Sequence, residues 1–140
     1  MLTFDPKNIG PLDGIRVLDL SRLIAGNMLS LQLADFGAEV IKVETPGKGD
    51  PLRAWKEDGI DAHWKVYARN KKSLTLDLES SDGRAVLLDL VASADALTSN
   101  LRGDVPEKLG LTYEHLKDAN PQIVCAHLSA YGREGTRASW

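Results

Sequence analysis

The chain has 140 residues, 43% hydrophobic, 26% charged and 6% aromatic, the composition of one globular domain rather than a disordered or fibrous polypeptide. Seventeen basic against twenty acidic side chains leave a net charge of −3, which excludes an overall field that draws nucleic acid or an anionic membrane; any anion must be bound locally. The single cysteine, Cys125, cannot form an internal disulfide and lies in an apolar run, no secretory pattern opens the chain and no apolar run spans a bilayer, so the expected location is cytoplasmic.

In chain order, the aliphatic run 15–20 follows the turn pair Asp13-Gly14 and predicts a first strand. Residues 26–36 place Met28, Leu29, Leu31, Leu33, Ala34 and Phe36 on several sides of a wheel ahead of Gly37, which predicts a buried helix with a glycine stop. A second strand is expected over 39–43, and strand, helix and strand then make a right-handed parallel crossover. The prolines and glycines between Thr45 and Pro51 predict an exposed loop without regular structure.

A third strand is expected over 73–78, and Ser80-Ser81-Asp82 is expected to cap a helix running to Ala92. Residues 94–98 and 123–128 read as further strands, separated by a helical turn near 106–109 and a helix over 112–119 that Pro121 ends. The fold class is therefore α/β: an open parallel, Rossmann-like sheet with flanking helices, whose ligand lies beyond the carboxyl ends of the strands.

Glu44, at the end of the second strand, stands where a ribose-binding carboxylate belongs in a dinucleotide fold. Yet the preceding turn, Ser21-Arg22-Leu23-Ile24-Ala25-Gly26-Asn27, holds one glycine where the nicotinamide fingerprint needs three, so NAD is not expected; the P-loop pattern is missing too. Basic residues do gather at strand ends, with Lys42, Lys48 and Arg53 around one loop and Arg69, Lys71 and Lys72 before the third strand. These either meet phosphates or form a solvated loop.

The three histidines, His63, His115 and His127, are too scattered for a metal set, and no metal is expected. Cys125 and His127 share one side of a strand, which a packed strand explains more simply than a thiol–imidazole couple. Asp19 and Asp77, at strand ends, are read as loop-holding acids rather than catalytic ones, and Trp55, Trp64 and Trp140 as anchors before adenine-stacking rings.

The stretch Pro11 to Arg22 with Ala25-Gly26, the block Leu33 to Glu44 with Pro46 and Gly49-Asp50, and the block Arg69 to Leu78 closely resemble the opening of the family III CoA-transferases, a group that includes formyl-CoA and carnitine CoA-transferases and α-methylacyl-CoA racemases. Asp82-Gly83-Arg84, Asn100, Lys108-Leu109-Gly110-Leu111, Asn120-Pro121 and Tyr131-Gly132 extend the resemblance in order. Asn27 for a usual proline, Leu101 for a usual phenylalanine and Gly103-Asp104 for a usual proline-glycine depart from the pattern, as do Ala130 for glycine and Thr136 for proline.

The resemblance implies coenzyme A as substrate and acyl carrier, with Ile24, Ala25, Lys71, Asn100, Leu101 and Lys108 lining its site and Lys71 pairing with a phosphate. It implies acyl-CoA:carboxylate transfer, with residues 1–140 as the amino-terminal CoA-binding part of a larger domain. The nucleophilic aspartate, a second domain and a returning carboxyl-terminal segment belong beyond the point matching Trp140, so no catalytic residue is expected here. Family members form interlocked homodimers, which implies a homodimer or a complementing chain. A non-catalytic CoA-binding fragment, half of a split enzyme, and a racemase-type isomerase are the alternative readings.

Overall fold

The computed structural model describes residues 9–138. Five strands, β1 (Arg16–Asp19), β2 (Glu39–Glu44), β3 (Lys71–Thr75), β4 (Ala96–Ser99) and β5 (Val124–His127), form one sheet in the order β3-β2-β1-β4-β5. Every pairing is parallel, with Val17 opposite Val40 on one side of β1 and Ala96 on the other. The helices are α1 (Ala25–Asp35), α2 (Ala62–Tyr67), α3 (Ser81–Val91), α4 (Val105–Lys108) and α5 (Tyr113–Leu116), with a 3₁₀ turn at Pro51–Ala54.

Alternation along β1 explains the layering, because successive side chains leave opposite faces of a strand. Val17 packs with Val40, Ala34 and Ala38 under α1, whereas Leu18 joins Leu97, Leu87 and Val91 under α3 and Leu116 of α5. The central strands β1 and β4 are buried on both faces, while β3 and β5 are the partly exposed edges. After β1 the chain turns into α1 on one face, and after β4 it turns toward α4 and α5 on the other. A crevice therefore opens between β1 and β4 at their carboxyl ends, the switch point where such sheets take ligands.

Several boundaries differ from the sequence expectation. β3 starts at Lys71 rather than at residue 73, because Asn70, at φ 61°, turns the chain so that Lys71 and Lys72 pair with Val40 and Ile41. Pro51 opens the 3₁₀ turn instead of extending the loop: the Asp50 carboxylate accepts from Leu52 N at 2.8 Å, and proline needs no partner for its own nitrogen. α2 had no periodic apolar face to announce it, since none of its residues is buried. The helix expected over 112–119 is a single turn.

Candidate functional site

The carboxyl end of β1 carries Asp19, completely buried, and that carboxylate organises everything around it. Its Oδ1 accepts from Ser21 N at 2.9 Å and from the Ser21 hydroxyl, and its Oδ2 accepts from Ser30 Oγ on α1 at 2.5 Å. Lys42 Nζ, from β2, stands 3.7 Å from Asp19 Oδ1 and 3.1 Å from Asp50 Oδ2 and donates to the Ser21 carbonyl. Lys71 Nζ, from β3, stands 3.2 Å from Asp19 Oδ2 and donates to Ser30 Oγ at 2.7 Å and Asn27 O at 2.9 Å. Two lysines and two aspartates thus form a neutral cluster beneath the amino terminus of α1.

Lys71, expected to pair with a phosphate, is placed on Asp19 and Ser30 instead. Its side chain is 1% exposed and its ammonium protons are committed to the protein; burial, opposed by Asp19, pulls its pKa below the ordinary lysine value. Asn27, which stands where the resemblance has proline, is buried as well and donates to the Leu23 carbonyl at 2.5 Å and Asp50 Oδ2 at 2.7 Å.

Glu44 forms a second anchor. Both carboxylate oxygens are occupied, by Arg53 Nε and Nη2 at 2.7 and 2.8 Å and by Ser73 Oγ at 2.7 Å, with Asp50 N donating at 2.8 Å. Burial alone raises a carboxyl pKa, but these hydrogen bonds outweigh it and hold Glu44 at about 2. The carboxylate that suggested a ribose contact is therefore spent on the β2–α2 connection. Arg53 also lies 3.8 Å over the Trp64 ring, and Trp55 meets His63 edge-on, so both tryptophans pack within that connection; Trp140 lies outside the described residues.

Of the other expected residues, Ala25 and Asn100 share the β1–β4 crevice with Arg102 and Leu128. Asn100 lines it while holding the loop opposite: Oδ1 accepts from Arg22 N at 2.7 Å and Nδ2 donates to Arg22 O at 2.8 Å. Ile24 is the residue preceding α1 and offers no side-chain cap, so the first N–H groups of the helix are left unsatisfied by it. Leu101 lines a second slot with Leu76, Leu78 and Leu109, whose polar lining includes Lys42, Glu44 and Asp50. Lys108 lies on a separate groove with Arg84 and His115, paired to Asp104 at 2.7 Å.

The leucine slot continues into an open cleft walled by Arg22, Thr45, Lys48, Leu76, Leu78 and Leu109, with the acids Asp77 and Glu79 on the same wall. Arg22 and Lys48 are exposed there, and neither side chain forms an ion pair among the described residues, although Asp77 and Glu79 line the same cleft. Leucines beside two cations without an ion-pair partner can take a flat ring and phosphates, with Asp77 turned to the main chain by its bond to Glu79 N. Sequence reasoning named Lys48 but missed Arg22, Leu76, Leu78 and Leu109, because their convergence comes from three different strand-end loops.

His127 and Cys125 sit on β5, but the imidazole takes Ser99 as its partner, with Ser99 Oγ and Nδ1 2.7 Å apart, while Cys125 packs against the core. Burial raises the thiol pKa, which disfavours the nucleophilic thiolate. Asp77 closes the turn after β3 by accepting from Glu79 N at 3.0 Å. Among the described residues no three His, Cys, Asp or Glu side chains converge as a metal set, and no helix is long and apolar enough to cross a membrane.

Acid should destabilise the fold in two steps. Burial, reinforced by Arg133, lowers the pKa of His127, so the unfolded chain takes up that proton first and stability falls as pH drops below about 6.5. Glu44 stabilises fully above its unfolded value of about 4.3, and that contribution is lost as pH falls toward its folded value. Urea midpoints between pH 8 and 3 should show both declines, and His127→Asn should remove only the upper one. A midpoint flat from pH 8 to 5 in the parent chain would contradict the assignment of His127.

Comparison with known proteins places the chain in a family. The family model described as CoA-transferase family III matches residues 12–140. A succinyl-CoA–D-citramalate CoA-transferase from Chloroflexus aurantiacus is 45% identical over 128 residues, covering 89% of this chain and 32% of that protein. The human succinyl-CoA:glutarate CoA-transferase is 38% identical over 137 residues, covering 94% of this chain and 31% of that protein. The crystal structure of a CAIB/BAIF family protein from Brucella suis superposes with a TM-score of 0.86 at 37% identity, covering 94% of this chain and 36% of that one. The chain thus spans about a third of the length of the curated relatives it matches. A short-chain dehydrogenase from Salmonella enterica, with a TM-score of 0.52 at 20% identity, shares the fold alone.

Proposed function

Because this chain belongs to CoA-transferase family III, we propose that its residues hold the CoA moiety of an acyl-CoA while the group is transferred to a carboxylic acid. The observation that carries this reading is the cleft at the strand carboxyl ends, where Leu76, Leu78 and Leu109 meet the cations Arg22 and Lys48, which no ion pair holds among the described residues, alongside Asp77 and Glu79. A base slides between leucine side chains, its phosphates meet arginine and lysine, and the uncapped start of α1 adds N–H donors where the helix dipole favours negative charge. The curated relatives named as succinyl-CoA transferases support a thioester-to-carboxylate exchange.

The part assigned to this chain is binding and orientation. Asp19 and Asp50, its buried aspartates near the crevice, are both tied to lysines and neither is free to attack a thioester. The nucleophile is assigned to chain segments matching the relatives beyond this third of their length. Attack by a carboxylate there on the acyl-CoA carbonyl expels the CoA thiolate and gives an acyl–enzyme anhydride; the thiolate then attacks the enzyme-side carbonyl, releasing the donor acid as its carboxylate and leaving an enzyme-bound CoA thioester. The acceptor carboxylate attacks that thioester, expelling the thiolate into a second anhydride, and thiolate attack on the acceptor's carbonyl gives the new acyl-CoA and restores the enzyme carboxylate.

Charge reversal tests the placement. Arg22→Glu and Lys48→Glu should each weaken CoA binding about tenfold or more, since attraction becomes repulsion within a few ångströms. Lys72→Glu, on an exposed side chain that pairs instead with Glu39, should leave affinity unchanged. Equal affinity in all three variants would remove the leucine cleft from the CoA site.

A further inference from the structure

The turn between β1 and α1 is built almost without main-chain hydrogen bonds. Ser21 N is held by Asp19, the Ser21 carbonyl by Lys42, both polar backbone groups of Arg22 by Asn100, Leu23 N by Asp50 at 3.1 Å and the Leu23 carbonyl by Asn27. Side chains from β1, β2, the β2–α2 loop, the β4 loop and α1 therefore fix three consecutive residues. The last of them, Leu23, adopts φ 59°, the left-handed region that a glycine enters freely and a leucine does not. A leucine bent this way is enforced from outside, and such strain gathers where a protein must hold one geometry against a ligand.

Asp50 is the member that reaches both ends of the bend. Oδ1 accepts from Leu23 N and from Leu52 N at 2.8 Å, and Oδ2 takes Asn27 Nδ2 at 2.7 Å and stands 3.1 Å from Lys42 Nζ. It is 3% exposed, so it does not meet the ligand itself. We propose that Asp50 is a positioning residue for CoA: clamped by Lys42, it keeps Leu23 left-handed and thereby aims the first N–H groups of α1 into the crevice. The assignment rests on the reading above, in which CoA held in the leucine cleft also meets the start of α1.

Two readouts on the full chain separate this role from a merely structural one. Asp50→Asn keeps the shape and the Oδ1 acceptor but removes the charge and opposes an amide to Asn27 and Lys42. CoA affinity, measured well below the melting temperature, should fall about tenfold. Adding Leu23→Gly should restore most of it, because glycine takes the bend without enforcement. A purely structural aspartate gives a lower Tm, an unchanged Kd and no recovery with glycine, and that result overturns the proposal.

The Leu23 amide reports on the clamp without any ligand. It should resist hydrogen exchange in the parent and exchange freely in Asp50→Ala while the β1 and β4 amides stay protected; an equally protected Leu23 in both overturns the clamp. A parent chain with no CoA affinity would sink the functional reading, and with it the role of Asp50 toward CoA, while the exchange result would still decide whether the clamp exists. Should Asp50→Asn fail to fold, Asn27→Ala, which removes only the donors to Leu23 and Asp50, should lower affinity about threefold and also be rescued by Leu23→Gly.

Discussion

Asp19→Ala should destabilise the chain by about 3–5 kcal/mol, the usual result of removing one partner from a buried ion cluster. The carboxylate is completely buried and takes Ser21 and Ser30 as donors and Lys42 and Lys71 as counter-charges. Alanine would leave two buried ammonium groups with only Asp50 between them. Against a total of about 5–15 kcal/mol for an ordinary domain, this is a large fraction of the stability. Asp19→Asn retains the shape but loses the charge, and should cost less while still exceeding any single surface substitution. Urea unfolding followed by circular dichroism reads both; a cost under about 1 kcal/mol for Asp19→Ala would show that the cluster does not organise the strand ends.

Gly26→Ala should cost about 2–3 kcal/mol, although alanine is the better helix former by about 1 kcal/mol. A Cβ at Gly26 would lie 2.1 Å from Ser21 Cβ, 2.5 Å from Ser21 Oγ and 3.2 Å from Asn100 Cγ. Neither neighbour yields readily, because Ser21 is tied to Asp19 and Asn100 to Arg22. The helix start must then move away from the β1–α1 turn, so CoA affinity should fall together with stability. Gly47→Ala supplies the comparison: it has open space around it and a φ of 73°, so only the left-handed penalty of about 1 kcal/mol applies, with no change in CoA affinity. Equal costs at the two positions would mean that α1 has room to shift.

The layers of this fold were legible because aliphatic runs mark the strands and the helices between them carry apolar sets. What failed to show were features made by polar atoms far apart in sequence. Lys71 read as a solvated loop or a phosphate partner because its counter-charge, Asp19, lies 52 residues earlier and on another strand. Lys42 read as one of the strand-end cations that either meet phosphates or stay solvated, yet it is 1% exposed because Asp19 and Asp50 receive it. For Asp50, a local signal did exist: an aspartate before Pro51 and two residues ahead of Leu52 N is an Asx-type cap, and such a cap draws the loop inward. The expected site residues Ala25 and Asn100 do meet in one crevice, Leu101 lies in the adjoining slot, and Lys108 faces a different groove. Glu44 illustrates the converse, since its position suits a ribose while its partners, Arg53 and Ser73, leave no oxygen free.

Calorimetric titration of the 140-residue chain with CoA, and in parallel with NAD, tests the central claim most directly because binding requires no nucleophile. Saturable binding of CoA with a stoichiometry near one, weakened about tenfold or more by Arg22→Glu and absent with NAD, is the result expected from the leucine cleft and its cations. Folded protein that gives no heat with CoA, or that binds NAD as well as CoA, would contradict it.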